Sequence, residues 1–306
     1  MLNILIMEIE SKKDEIEISL IDIFKILWSK KFLMVAFVLV SSVLSAIYAL
    51  SIPNEYKSSA KFSFTQDETS SSSPSQLGGI ASLAGISLGN NQSNNESTVA
   101  YEIMQSWNFI EDFIEKNELE YLLSAVNGWN QEDNSLIINS ELYNHESKKW
   151  LVEKPSSWIL YKKFKKRVSV SQDMVTGLVT ISIEYFSPYV AKQLIDQYVD
   201  SINSYMFKRK LNQTEINLSY LQAQLENTNN KEMKSIFYSL IQEQIKNKML
   251  AQATPEYSLT TINKAMTPSE KTKPQRSIMV LLGAMLGAIL GMLYILASHY
   301  KNSFRV

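Results

Sequence analysis

Two long runs without a charged side chain constrain this chain more than any other feature. The first extends from Phe32 to Asn54 and the second from Ser277 to Ser298, near the two ends of a 306-residue chain. A helix that crosses about 30 Å of hydrocarbon needs roughly 20 apolar residues. A core helix of a soluble domain rarely keeps that length without a polar face. The sequence therefore predicts two transmembrane helices, at residues 32–53 and 277–298.

The charges beside the first run predict the orientation of the chain. Lys30 and Lys31 directly precede this run, and under the positive-inside rule they place the N-terminal segment in the cytoplasm. Basic residues before the second run indicate the opposite, but the first span usually sets the topology. The segment before the first run is too long and too acidic for the start of a cleaved signal peptide. We expect cytoplasmic residues 1–31 and 299–306, with residues 54–276 across the membrane.

The residues between the two runs predict an α+β fold, a base domain with a long extended helical arm. Alternating apolar residues predict base strands near 55–66, 167–186 and 256–265. From Pro188 onward apolar residues recur at helical spacing, and no Gly or Pro interrupts the arm, residues 189–253. The pattern weakens at "ENTNNKEM". We expect either one continuous helix or a kink near Asn229–Asn230.

Four leucines mark one face of this predicted arm. Leu211, Leu218 and Leu225 recur at intervals of seven, and Leu221 joins them. A seven-residue spacing keeps side chains on one side of a helix, as in coiled coils. The repeat is too short for a stand-alone coiled coil. We expect the leucine face to pack against its own domain or against a neighbouring protomer.

Three glycines mark one face of the second apolar run. Gly283, Gly287 and Gly291 are spaced by four residues. Small residues at this spacing let two helix backbones approach closely in lipid, where packing drives association. Glycine is also common in membrane helices in general. Three glycines in register favour a packing face, without indicating which helix is the partner.

The chain has no sequence pattern that indicates catalysis, nucleotide binding or a metal site. It contains no GxxxxGK[ST] loop and no HExxH motif. Cysteine is absent, and the only histidines are His145 and His299. The net charge of −1 provides no general attraction for nucleic acid. We predict a protein that is not an enzyme, uses no cofactor and binds no nucleic acid.

Three further features allow two interpretations each. Trp129, Trp150 and Trp158 either pin small helices to a core or bind sugar. The basic run Lys162–Arg167, predicted to lead into an exposed strand, either serves solubility or attracts phosphate or anionic polysaccharide. The weakly apolar segment Gly78–Gly89, flanked by serines and asparagines, is a flexible loop or docks in an oligomer lumen or on the membrane surface.

Several local motifs resemble, in their order along the chain, those of the Wzz-type polysaccharide co-polymerases, the chain-length determinants. "IEISLIDIFKILWSKKFLM" is similar to the family's approach to its first span, and "YKSSAKF" to its first strand. "SWNFIEDFI" and "ISIEYFSPYVAKQLIDQYVDSIN" resemble two internal motifs. The family's proline-rich membrane-entry motif, A-x-x-P-x-x-P-x-x-P-x-R, maps onto Ala265, Pro268, Pro274 and Arg276. Lys271 occupies the position of the middle proline.

This resemblance implies a bacterial inner-membrane protein whose periplasmic base domain assembles into a ring of several protomers. It implies a Wzy-type polymerase and a lipid-linked polysaccharide as partners, with O-antigen of lipopolysaccharide as the polymer whose modal length is set. The short tail "HYKNSFRV" resembles the branch without a cytoplasmic kinase. "LGGIASLAGISLG" resembles capsule and exopolysaccharide members as much as O-antigen ones. A capsule or exopolysaccharide export component is therefore the alternative.

Overall fold

The structure, a computed structural model, describes residues 20–65, 92–254 and 256–303. The chain divides into two units: Met1–Pro53 with Lys273–Val306 form a membrane unit, and Asn54–Thr272 form a globular unit. The segment Gly78–Gly89, for which a loop or a docking role is predicted, lies outside the described residues.

The described elements are named here in chain order. The helices are α1 (Leu20–Ser29), α2 (Lys31–Ser51), α3 (Gln92–Gln105), α4 (Trp107–Lys116), α5 (Glu120–Ser124), α6 (Ser157–Arg167), α7 (Pro188–Asn227), α8 (Lys231–Ala253) and α9 (Arg276–Ser303). The strands are β1 (Tyr56–Phe64), β2 (Val126–Asn130), β3 (Ser135–Ile138), β4 (Tyr143–Asn144), β5 (Lys149–Trp150), β6 (Val168–Gln172), β7 (Val179–Tyr185) and β8 (Leu259–Asn263). The predicted mixture of helices and strands is confirmed.

The membrane unit is a pair of long apolar helices, α2 and α9, that pack against each other. The segments Lys31–Ser51 and Arg276–Ser298 are each long and apolar enough to cross a membrane. Large apolar side chains such as Leu44 and Leu282 point away from the pair and are exposed. The two predicted apolar helices near the ends of the chain are therefore confirmed.

The globular unit is built on a four-stranded antiparallel sheet in the order β6-β7-β1-β8. β6 and β7 form a hairpin within residues 167–186, where alternating apolar residues predict strands. Asp173 starts the turn, because its Oδ1 accepts hydrogen bonds from the backbone N–H groups of Val175 and Thr176, and these bonds lower its pKa. Gly177 adopts a φ of +71°, which glycine tolerates without steric cost.

The core lies where α7 crosses one face of this sheet. Val179, Ile181, Ile183 and Tyr185 alternate along β7 and are fully buried, and Ile195 and Tyr198 on α7 are fully buried as well. The hydroxyl of Tyr185 donates to the carbonyl of Leu122 at 2.8 Å, and that of Tyr198 donates to the carbonyl of Met104. These two bonds connect the sheet and α7 to the small helices that complete the core.

The arm predicted at residues 189–253 consists of two helices. α7 ends at Asn227 and α8 begins at Lys231, with Asn230 as its N-cap. α8 then runs back along α7, since Lys248 on α8 forms an ion pair with Glu215 on α7 at 2.9 Å. Of the two alternatives, one continuous helix is excluded, and the break lies at the expected position near Asn229–Asn230. The extended turn at residues 228–230 allows apolar side chains of both helices, such as Leu240, to bury against each other.

Candidate functional site

The three predicted glycines of α9 face α2 of the same chain. A Cβ atom added at Gly287 would clash with the side chain of Ser41, and one added at Gly283 would clash with that of Ser45. At Gly291 the fit is looser, because the nearest atom would lie 3.2 Å away. Small residues at these positions let the two helix backbones approach closely, which is how helices associate in lipid. The packing partner of α9, which the sequence did not indicate, is thus α2 of the same chain.

Two serines use this close approach to form hydrogen bonds between the helices. Ser41 Oγ donates to the carbonyl of Gly283 at 2.9 Å, and Ser45 Oγ donates to the carbonyl of Met279 at 2.8 Å. In lipid such bonds contribute on the order of 0.5–1.5 kcal/mol each. Sequence reasoning did not single out these serines. Their signal is their spacing of four residues, which places two small polar side chains on one face of an uncharged helix.

The proline-rich motif is divided between the two units. Ala265 is buried in the globular unit, and Pro268 is half-buried there. The motif segment continues beside the start of β1, where Thr272 N donates to the carbonyl of Glu55 at 2.8 Å. Within the membrane unit, the carbonyl of Pro274 accepts a hydrogen bond from Arg276 N at 3.0 Å.

Arg276, the last residue of that motif, is the first residue of α9. Its Nε donates to the carbonyl of Ala49 at 3.2 Å. Ala49 lies in the last turn of α2, whose terminal carbonyls have no partner inside the helix. A cation at a helix C-terminus is also favoured by the helix dipole. Arg276 therefore links the start of one candidate membrane helix to the end of the other.

The four predicted leucines lie on α7 in its distal half. Leu221 is buried, with 3% of its surface exposed, whereas Leu211, Leu218 and Leu225 are half-buried. Along the same part of α7, Thr214 is buried and bonds the carbonyl of its own helix four residues earlier. The leucine face is thus partly covered within one chain.

The basic run Lys162–Arg167 forms the end of α6 and leads directly into β6, as predicted, but three of its members are only partly exposed. Lys163 Nζ donates to Ser124 Oγ at 3.0 Å, and Lys165 Nζ donates to the side chain of Gln105 at 3.1 Å. Partial burial lowers the pKa of both lysines. Lys163 and Lys165 flank the buried Phe164, so they attach α6 to neighbouring helices on the two sides of its buried face.

Arg167, the last residue of the run, also contacts other parts of the globular unit through its side chain. Its guanidinium lies over the rings of Tyr185 and Phe186, with its central carbon 4.9 and 4.6 Å from their centroids. One of its nitrogens also contacts Glu55 Oε1 at 3.3 Å. Planar stacking on aromatic rings combined with a carboxylate contact is characteristic of structural arginines.

Comparison with known proteins finds a family model that matches the N-terminal third of the chain. Residues 16–117 match the family model described as Wzz, chain length determinant protein. This region is similar to Wzz chain length determinants. The predicted resemblance is thereby confirmed. No curated protein matches the sequence.

Two solved structures are similar to the chain at low sequence identity. A full-length bacterial polysaccharide co-polymerase has 12% identity and a TM-score of 0.42, covering 94% of this chain and 99% of its own. A fragment of WzzB, a polysaccharide co-polymerase from Salmonella Typhimurium, has 11% identity and a TM-score of 0.31. That alignment covers 72% of this chain and 100% of the fragment.

The Wzz region includes α1, α2, β1 and the helices α3 and α4. It therefore contains Ser41 and Ser45, which bond the glycine-bearing helix, and the motif "SWNFIEDFI", in which Ser106 caps α4 by accepting a hydrogen bond from Phe109 N. The glycines, the proline-rich motif and α7 lie outside the matched residues.

Within the described part of the chain, no three His, Asp or Glu side chains are arranged to hold a metal ion. Where carboxylates and lysines of the globular unit meet, they form ion pairs such as Lys192–Asp196 and Lys116–Asp112 along exposed helix faces. Such i,i+4 pairs stabilise helices modestly.

Proposed function

We propose that this protein sets the modal chain length of a lipid-linked surface polysaccharide, specifically the O-antigen of lipopolysaccharide. It acts as a non-catalytic, oligomeric co-polymerase beside a Wzy-type polymerase in the bacterial inner membrane. The match of residues 16–117 to the Wzz chain length determinant is the observation that carries this proposal. The two candidate membrane helices support a membrane location for the same protein.

Length control of this kind requires no bond to be made or broken by the protein itself. A polymerase stops at a preferred length when one of its bound states becomes favoured over another, and a partner achieves this by binding the two states with different affinity. A difference of about 1.4 kcal/mol in binding free energy changes the ratio of the two states tenfold. In this proposal the globular unit, Asn54–Thr272, lies in the periplasm and provides the surface for such binding.

The test is deletion of the gene in its host, followed by complementation. Lipopolysaccharide separated on a gel should keep its polymer but change from a clustered to a broad distribution of lengths. Complementation with the intact gene should restore the cluster. An unaltered ladder in the deletion strain would contradict O-antigen length control. If surface capsule is lost instead, the capsule or exopolysaccharide role suggested by "LGGIASLAGISLG" replaces it.

A further inference from the structure

A cleft of about 440 Å³ opens in the globular unit between three elements. One wall is the segment 117–122 after α4, the opposite wall is the β4–β5 hairpin, and the floor is the first part of α7. Sites for small molecules in proteins typically have volumes of roughly 300–1,000 Å³. The cleft is therefore large enough for a ligand of one or two rings.

Aromatic rings line one side of this cleft. Tyr121 and Tyr143 stack with their centroids 5.3 Å apart and their planes 13° apart, and Trp150 meets Tyr143 edge-on at 5.3 Å. Tyr143 is buried behind the others, whereas Tyr121 and Trp150 are half-buried at the cleft surface. Aromatic rings offer flat apolar faces, and the C–H face of a pyranose ring packs on such faces.

Polar groups of both hydrogen-bonding types surround these rings. Lys148 pairs with Glu118 at 3.6 Å, and Lys154 pairs with Glu120 at 3.0 Å, so the mouth of the cleft has as many positive as negative side chains. An anionic ligand would need an excess of positive charge, and an acyl chain would need an apolar lining. A ligand with many hydroxyl groups and no net charge fits both donors and acceptors.

Two residues at the mouth adopt a backbone conformation that side chains disfavour. Glu118 and Lys148 each have a φ of 50°, in the left-handed region. This region costs non-glycine residues on the order of 1–2 kcal/mol. Their ion pair is more than 70% exposed on both sides and stabilises the fold little in return. The left-handed backbone ends α4 at Glu118 and turns the β4–β5 hairpin at Lys148, which brings both side chains to the mouth of the cleft.

A buried amide on the floor of the cleft adds a further polar group. Gln197 lines the cleft from α7, and no protein group among the described residues donates a hydrogen bond to its buried Oε1. A buried acceptor without a donor costs roughly 1–3 kcal/mol. A hydroxyl group entering the cleft is a donor of the required kind.

From these contacts we infer that the cleft between segment 117–122, the β4–β5 hairpin and α7 binds an uncharged saccharide unit. Trp150 and Tyr121 contact the apolar face of the sugar ring, and Gln197 with the mouth residues bonds its hydroxyls. The inference rests on the proposed function only for the source of the saccharide, which is then the growing lipid-linked polymer. This assigns to Trp150 the sugar-binding alternative among the three tryptophans.

Saturation-transfer difference NMR on the full-length protein tests this site. The protein is placed in lipid nanodiscs, because glycoside detergents would present competing sugar headgroups. The probes are maltose, lactose, cellobiose and N,N′-diacetylchitobiose at millimolar concentrations, with digalacturonic acid as the charged comparison. We expect transfer to at least one neutral disaccharide and at least tenfold weaker binding of digalacturonic acid. Absence of transfer to all four neutral disaccharides would overturn the inference, as would tighter binding of the charged one.

Matched variants separate binding from folding. Trp150→Leu should weaken binding at least tenfold, whereas Trp158→Leu, at a tryptophan that contacts Trp107 outside the cleft, should leave it unchanged. Gln197→Leu should weaken binding while the melting temperature stays the same or rises, because an unpartnered acceptor is removed. Equal binding by Trp150→Leu, Gln197→Leu and the unaltered chain would contradict the site.

A glycine variant at the mouth keeps the test valid if Trp150→Leu or Gln197→Leu fails to fold. Lys148→Gly relieves the left-handed backbone but increases the entropy of the unfolded chain, so the melting temperature should change little. Binding should fall at least threefold, and unchanged binding would contradict a role for the mouth. The outcome is independent of the proposed function: an unaltered ladder in the deletion strain would refute length control without affecting disaccharide binding by the purified protein.

Discussion

At the scale of the residue, Gly287 shows how one missing side chain permits an interface. The position is buried against α2, and its neighbour Ser41 reaches across to bond the backbone of α9. The interface depends on backbone proximity, so a single methyl group is enough to disturb it. Adjacent apolar residues, whose side chains face outward, have no such constraint.

We therefore predict that Gly287→Ala destabilises the protein in detergent. The added Cβ overlaps the side chain of Ser41, and overpacking of this kind costs roughly 1–3 kcal/mol. Gly291→Ala is the matched control, and its loss should be smaller because the nearest atom would lie at 3.2 Å. The measurement is the melting temperature followed by tryptophan fluorescence. Equal melting temperatures for the two variants would show that the closeness of the helices at Gly287 has no energetic weight.

Buried tyrosines predict how stability depends on pH. Burial raises the pKa of Tyr185 and Tyr198 above the ordinary value of about 10. The folded state then keeps both protons where the unfolded state begins to lose them. Their contribution to stability is fully present below pH of about 10 and is lost progressively above it.

Tyr198→Phe should therefore have a smaller decline in melting temperature above pH 10 than the unaltered chain, since one of the two groups is removed. Lysine titration affects both proteins alike, so the difference between the two curves isolates the tyrosine. Exposed Tyr220 lies on the same helix, and Tyr220→Phe is the control. Parallel curves for the unaltered chain and Tyr198→Phe would be inconsistent with a raised pKa at that position.

At the scale of the element, a single amide connects α7 to the edge strand β8. Asn203 Nδ2 donates to the carbonyl of Leu259 at 3.1 Å, and its Oδ1 accepts from the N–H groups of Ser258 and Leu259 at 2.9 and 2.8 Å. Only 7% of Asn203 is exposed. β8 is short and, among the strands that the structure describes, pairs only with β1, so this contact is a substantial part of its attachment.

Asn203→Ala should consequently lower the free energy of unfolding by at least about 2 kcal/mol, because three backbone groups lose their partner. Asn212→Ala, at an exposed asparagine of the same helix, should change it by less than about 0.5 kcal/mol. Hydrogen exchange of the amides of β8 should accelerate in the first variant only. Equal exchange in both variants would show that β8 is held by its strand pairing.

At the scale of the whole molecule, the two apolar helices and the lysines before the first one predict where each part of the chain lies. The chain contains no cysteine, so single introduced cysteines report topology without background. In intact spheroplasts, a membrane-impermeant thiol reagent should label Lys149→Cys in the globular unit. It should label Asn302→Cys only after permeabilisation. Labelling of Asn302→Cys in intact spheroplasts would refute the proposed orientation.

Local patterns were sufficient to predict several elements. The uncharged runs predicted two apolar helices because the bilayer thickness sets the length of such a run, whatever the rest of the chain does. The turn between β6 and β7 was predictable because the residues that stabilise it, Asp173 and Gly177, are part of the turn and need no distant partner. Pro188 marked the start of α7 for a similar local reason, since proline suits the first turn of a helix.

Pairings between distant segments were decided only by the tertiary structure. The spacing of Gly283, Gly287 and Gly291 predicted a packing face, but the partner, α2, lies more than 230 residues away along the chain. The return of α8 along α7 and the structural positions of Lys163 and Lys165 likewise depend on which surfaces meet. The cleft around Trp150 combines three separate segments. Periodicity indicates which face of an element is apolar. The element that covers this face depends on how the whole chain packs.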